Sequence, residues 1–142
     1  MAQVGAGPSG SPARRLRGPL AVLAAAGAAV LLVATVDPHE SGHYPPCPLL
    51  AATGLYCPGC GALRMIHSLA HGDLAAAFGR NPLLFVLLPF LGYLWVRWAV
   101  LSARGRPMAS LLLRPGVAYV LVGVVVVYWV VRNLPFASAL AP

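Results

Sequence analysis

Pro115-Gly116-Val117-Ala118-Tyr119-Val120-Leu121-Val122-Gly123-Val124-Val125-Val126-Val127-Tyr128-Trp129-Val130-Val131 decides the fold class of this chain. In water its β-branched residues favour a strand. The run carries no charge, however, and at about 1.5 Å per residue a helix of this length approaches the ~30 Å of a bilayer's hydrocarbon core. A lone strand in lipid leaves its backbone groups unpaired, whereas a helix satisfies them within the segment. The reading is therefore a membrane-spanning helix over 115–131. Composition agrees: 59% of the 142 residues are hydrophobic and only 9% are charged. Soluble domains are about 25% charged.

Two more stretches have the same character. Gly18 to Val36 is uncharged and almost entirely Ala, Val and Leu. Its apolar run exceeds the ~7–15 residues of a signal-peptide core, and Asp37-Pro38-His39-Glu40 follows it in place of a small-residue cleavage site. An uncleaved first span over 18–36 is the better reading. The second span, 82–101, opens with Asn81 as cap and Pro82 in the first turn. Pro89 should kink it, and Tyr93, Trp95, Arg97 and Trp98 crowd its far end as interfacial anchors. Around these spans the chain divides into a disordered basic tail (1–17), a long loop (37–81), a basic loop (102–114) and a C-terminal tail (132–142). The fold class is an all-α membrane protein of three transmembrane helices, with one or two short interfacial helices between the first and second.

The net charge of +7 comes from ten Arg, with no Lys, against Asp37, Glu40 and Asp73. These Arg flank apolar runs and do not form a patch interleaved with aromatics, so nucleic acid is excluded as a partner. They read as topology signals. Arg14, Arg15, Arg17, Arg104, Arg106 and Arg114 share one side of a three-span chain; Arg64, Arg80 and Arg132 lie on the other. The positive-inside rule then places the N-terminus in the cytoplasm and the long loop outside. The expected setting is a multi-pass protein of the plasma membrane, with the lipid bilayer and other membrane proteins as partners.

The long loop holds every cysteine, histidine and acid of the chain. Its first part, through Pro48, is broken by prolines and Gly42. Leu49 to Leu55 is short and apolar and could dip into the interface. From Pro58 to His71 the pattern is an amphipathic helix, with Pro58 in its first turn. Met65, Ile66, Leu69 and Ala70 form its apolar face; Cys60, Arg64, His67, Ser68 and His71 form the polar one. Gly72 can end it, and Asp73 can cap a second short helix over about 73–79, stopped by Gly79.

Cys57-Pro58-Gly59-Cys60 is the motif with chemistry in it. At a helix start, open N–H groups and the helix dipole stabilise a thiolate, and Arg64 one turn on adds positive charge. Cys57, Cys60 and Arg64 are thus the residues of a redox reading, with Cys57 the more reactive thiol. A structural disulfide is the plain alternative, either Cys57–Cys60 or Cys47–Cys57; three cysteines cannot all pair within one chain. Zinc is the other candidate, because CxxC is a common half-site. Cys47, Cys57 and Cys60 would supply three ligands and His43 the fourth. His67 fits less well, since it lies about 10 Å along the same helix from Cys60.

One family shares this layout. Cys47-Pro48, Thr53-Gly54-Leu55-Tyr56-Cys57-Pro58-Gly59-Cys60-Gly61, Leu63-Arg64, His71-Gly72-Asp73-Leu74, Ala77 and Asn81-Pro82 together resemble DUF2752, small bacterial membrane proteins with no assigned biochemical function. The resemblance runs from about Cys47 to Pro89. Many members carry Thr directly before the motif's arginine, where this chain has Leu63. The resemblance implies a bacterial membrane location and supplies no substrate, cofactor or catalytic residue. The functional reading is a binding, scaffolding or accessory component of a membrane assembly rather than an enzyme. The alternative is a membrane thiol–disulfide oxidoreductase or metal-binding protein acting through Cys57-Pro58-Gly59-Cys60.

Overall fold

The computed structural model describes residues 12–40, 42–108 and 115–140. The chain runs through α1 (Pro12–Thr35), α2 (Pro48–Thr53), α3 (Ala62–Ala70), α4 (Leu74–Arg80), α5 (Pro82–Ala103) and α6 (Pro115–Arg132), then a 3-10 segment, Pro135–Leu140. No strand occurs among the described residues. Among the described residues, three helices are long and apolar enough to cross a membrane: Ala13–Thr35, Pro82–Ala103 and Pro115–Arg132. Leu31 is 65% exposed, Val86 63% and Val120 65%, so each of these helices presents a broad bare apolar side. Water could not tolerate that surface; lipid covers it at no cost.

The spans differ from the expected bounds mainly at their starts and ends. Part of the supposed disordered tail, from Pro12 to Arg17, is the first turn and more of α1. Pro19 lies inside that helix and is fully buried. Its carbonyl accepts the Trp95 indole N–H from α5 at 3.1 Å. A Cβ on Gly18 would sit 3.2 Å from the Trp98 ring, so the glycine lets the two helices approach. This contact with α5 orders the start of α1, which the composition of the tail does not reveal. Residues 1–11 of the tail, and Arg114 of the basic loop, lie outside the described residues.

α1 and α5 pack together, and α3 lies against α1 and α4. Asn81 caps α5 as expected, accepting the Leu84 N–H at 3.0 Å. Asp73 caps α4 through the Ala76 N–H at 2.9 Å, and Gly72 takes the left-handed conformation after α3 with φ +81°. α4 continues through Gly79 to Arg80, because the next stop is the Asn81 cap itself. The C-terminal tail forms the 3-10 segment, with Ala137 buried.

The largest correction falls on the cysteine motif. α3 starts at Ala62, not at Pro58, so Cys57 does not sit at a helix N-terminus. Residues 57–60 form a separate tight turn, closed by Cys60 N–H donating to the Cys57 carbonyl at 3.1 Å. Gly61 follows with φ +83°, a conformation that L side chains rarely adopt, and caps α3. The physical reason lies in the carbonyls. In a continuous helix those of Pro58 and Cys60 would accept N–H groups one turn on. Here side chains from α5 and α6 take them instead. The inner face of α3 also shifts: Met65 and Ser68 are buried, and Ala70 is exposed.

Candidate functional site

The prolines of residues 38–48 fold the loop back so that Cys47, at the start of α2, reaches the Cys57–Cys60 turn. The three sulfurs all lie within 4.8 Å of one another. Cys57 Sγ is 3.2 Å from Cys60 Sγ, and the Cys57 N–H also points at Cys60 Sγ from 3.2 Å. Cys60 is buried, whereas Cys47 and Cys57 are half-buried. All three are free thiols. They form one wall of an open cleft of about 740 Å³, whose other sides include His39, Tyr44 and Arg64.

The thiols stand in unlike environments. The backbone N–H of Leu50, then the Cys60 and Cys57 side chains, stabilise a Cys47 thiolate and bring its pKa down to about 7. Burial, reinforced by the neighbouring sulfurs of Cys57 and Cys47, pushes Cys60 up to about 12. Cys47 therefore emerges as a nucleophile or metal ligand in its own right. Arg64 lines the same cleft, with its Nε donating to the Pro38 carbonyl at 3.4 Å. His43 Nδ1 lies 3.5 Å from Glu40, and the trio of close ligands does not include it.

Three side chains that the motif does not contain hold the turn in place. Arg132, at the end of α6, is 2% exposed. Its Nη1 donates to the carbonyls of Cys57 at 3.0 Å, Cys60 at 3.2 Å and Pro58 at 3.4 Å, and its Nη2 to Cys60 at 3.3 Å. The guanidinium also lies 5.9 Å from the Tyr56 ring and 5.2 Å from that of Tyr128, within cation–π range. Asn81, fully buried, adds its Nδ2 to the Pro58 and Cys60 carbonyls at 3.0 and 3.3 Å. Asn133 pairs with both backbone groups of Tyr56, accepting from its N–H at 2.8 Å and donating to its carbonyl at 2.9 Å. The turn is thus fastened to the ends of two spanning helices.

A second cluster lies beyond the end of α1. Asp37 Oδ1 is 2.7 Å from His39 Nδ1 and 3.8 Å from His67 Nε2. The His39 backbone N–H and then its ring hold the Asp37 carboxyl below its ordinary range. His71 stacks on His67 with ring centroids 4.3 Å apart.

Residues 47–95 match DUF2752, described as a protein of unknown function. The DUF2752 match takes in all three cysteines, the turn, α3, α4 and Asn81. Asp37, His39, Arg132 and Asn133 lie outside it. No curated protein and no solved structure matched the chain.

Proposed function

We propose that this small membrane protein is a binding component of a membrane assembly whose three-cysteine cluster holds a soft metal ion, zinc or monovalent copper. The observation that carries this reading is the convergence of three sulfurs from two separate segments. A disulfide needs two sulfurs. A trigonal or tetrahedral thiolate site needs at least three, each about 2.3 Å from zinc, which sets them roughly 4 Å apart. Thiolate ligands select zinc or monovalent copper over hard cations. The cleft would leave a fourth position open, and the low pKa of Cys47 favours a ready thiolate. Fastening the turn to α5 and α6 keeps the ligand geometry fixed before the ion arrives, as a selective site requires.

A specific observation also favours a second reading, thiol–disulfide exchange. Cys57 and Cys60 are near enough to pair, and their oxidation would release two electrons and two protons to an acceptor disulfide. In that exchange a Cys57 thiolate attacks the acceptor disulfide and expels one acceptor thiolate, and Cys60 then attacks Cys57 Sγ, expelling the second and closing the Cys57–Cys60 bond. Purification under non-reducing conditions separates the two. Bound zinc or copper, with three thiols that become alkylatable only after chelation, supports the metal site. Metal-free protein with only one alkylatable thiol supports the redox pair and removes the metal reading.

The arginine asymmetry supports an orientation with the cysteine cluster on the outer face of the plasma membrane. An impermeant thiol reagent applied to reduced, chelator-treated intact cells should label the protein; labelling only after lysis reverses the orientation.

A further inference from the structure

We propose that Asp37, His39 and His67 form a second metal site, distinct from the cysteine cluster, that takes a divalent ion of the zinc type. The argument starts with the His67 ring. Its Nδ1 is 2.8 Å from the backbone carbonyl of Val33 in α1. A carbonyl can only accept, so Nδ1 carries a proton. In the neutral ring Nε2 then presents a lone pair, and it faces Asp37 Oδ1 at 3.8 Å. A carboxylate oxygen is also an acceptor only. Nε2 thus offers an open lone pair on the side of that oxygen, where a metal ion could meet both.

A third group converges on the same point. The His39 ring reaches the same Asp37 oxygen, so that one ligand atom from each of the three residues lies within 4.8 Å of the others. Zinc bound at about 2.0–2.1 Å by His nitrogen and carboxylate oxygen sets tetrahedral ligands ~3.3 Å apart. His67 Nε2 and Asp37 Oδ1 need to close by a few tenths of an ångström to meet that spacing. The His39–Asp37 pair, now 2.7 Å apart, opens as the metal replaces the shared proton. A histidine whose Nδ1–H is anchored on a backbone carbonyl, with Nε2 free, has the orientation that metal-ligating histidines show.

The backbone fixes two of the three ligands. His67 is locked to α1 through Val33, and the Asp37 carboxylate accepts the His39 backbone N–H at 2.8 Å, making a tight local turn. His39 is the adjustable member, a third exposed at the edge of the cleft. Two nitrogens and one oxygen suit zinc, cobalt or nickel, whereas the neighbouring three sulfurs suit softer ions, so the two sites differ in what they select.

The test uses the full chain in detergent with Cys47, Cys57 and Cys60 all replaced by Ser, titrated with Co²⁺ and then Zn²⁺. One equivalent of Co²⁺ should bind, with the visible spectrum of nitrogen and oxygen ligands and no sulfur charge-transfer band. His67→Gln can keep a donor toward Val33, and Asp37→Asn keeps the acceptor for the His39 N–H. Each should nonetheless weaken binding tenfold or more. Absence of Co²⁺ binding, or binding indifferent to both substitutions, overturns the site. Should the Ser variant lose its helical circular dichroism, wild-type protein serves instead. With Zn²⁺ in excess of one equivalent, His39 and His67 should be protected from diethyl pyrocarbonate while His43 stays reactive. Equal modification of all three with and without Zn²⁺ refutes the site.

Discussion

Replacing Arg132 with Met removes the guanidinium and keeps most of the volume. In the structure Nη1 and Nη2 supply two strong donors to the turn carbonyls, at 3.0 Å to Cys57 and 3.3 Å to Cys60, with further contacts shared. Hydrogen bonds to charged groups are worth about 1.5–3 kcal/mol each, net of their loss to water. Two of them come to roughly 3–6 kcal/mol, and contacts with the Tyr56 and Tyr128 rings add about 0.5–2 kcal/mol. Against this, the variant no longer buries a charge, which returns several kcal/mol. No carbonyl is left bare either. Those of Pro58 and Cys60 keep Asn81, and that of Cys57 keeps the Cys60 N–H. A net loss of about 2–4 kcal/mol in the stability of the turn is the balance of these effects. Cys60 is only 8% exposed, so a reagent reaches it only when the turn opens. Where opening is fast relative to alkylation, the labelling rate follows the open population. The expected rise for Cys60 is then about 30- to 1,000-fold, since 1.4 kcal/mol is a factor of ten. Peptide mass mapping over a time course in metal-free, reduced protein measures it, with Arg104→Met at the far end of α5 as control. If Arg132→Met labels Cys60 at the wild-type rate, the guanidinium does not hold the turn.

The other predictions are simpler. Asn81→Ser can keep a cap for α5 but cannot reach the Pro58 and Cys60 carbonyls; it should still cost about 1–3 kcal/mol by detergent unfolding, and a neutral result would leave Asn81 as a cap alone. Gly61→Ala forces a Cβ into a left-handed residue and should lower stability by about 1–2 kcal/mol, where Gly79→Ala in α4 should not. In reduced, metal-free protein, Cys47 alkylation should climb with pH and level off above about 7. The same shift has a sign for stability. The folded thiol is more acidic than its reference value of 9.0, so folding favours the thiolate. That contribution is fully present above 9.0 and is lost as the pH falls through about 7. A Cys47 alkylation rate still rising steeply between pH 8 and 9 would contradict it.

Much of this architecture is legible in residue order. The three spans follow from uncharged apolar runs, and the caps at Asp73 and Asn81 and the stop at Gly72 follow from local chemistry. Local rules fail where a distant segment competes for the backbone. Pro58 reads as a helix start because nothing nearby says that its carbonyl belongs to Asn81 and Arg132, 23 and 74 residues away. By the same rules Arg132 reads only as one of three arginines on the outer side, whereas it is among the most buried side chains described. A hint was present: Arg132-Asn133 places two polar side chains side by side at the end of an apolar run. Cys47 reads as a zinc ligand, but its acidity depends on Leu50, Cys57 and Cys60 meeting in space. His43 shows the converse. It has a plausible spacing to the cysteines, yet its ring lies 3.5 Å from Glu40 and outside the close sulfur trio.

X-ray absorption at the zinc edge, on zinc-loaded protein carrying Asp37→Asn, tests most directly whether the three cysteines share one ion. That substitution removes the competing nitrogen–oxygen site and leaves the thiol cluster intact. Three sulfurs at about 2.3 Å, falling to two when Cys47→Ser is added, are the expected result. A shell of nitrogen and oxygen alone, or one that Cys47→Ser leaves unchanged, would contradict a site built from all three.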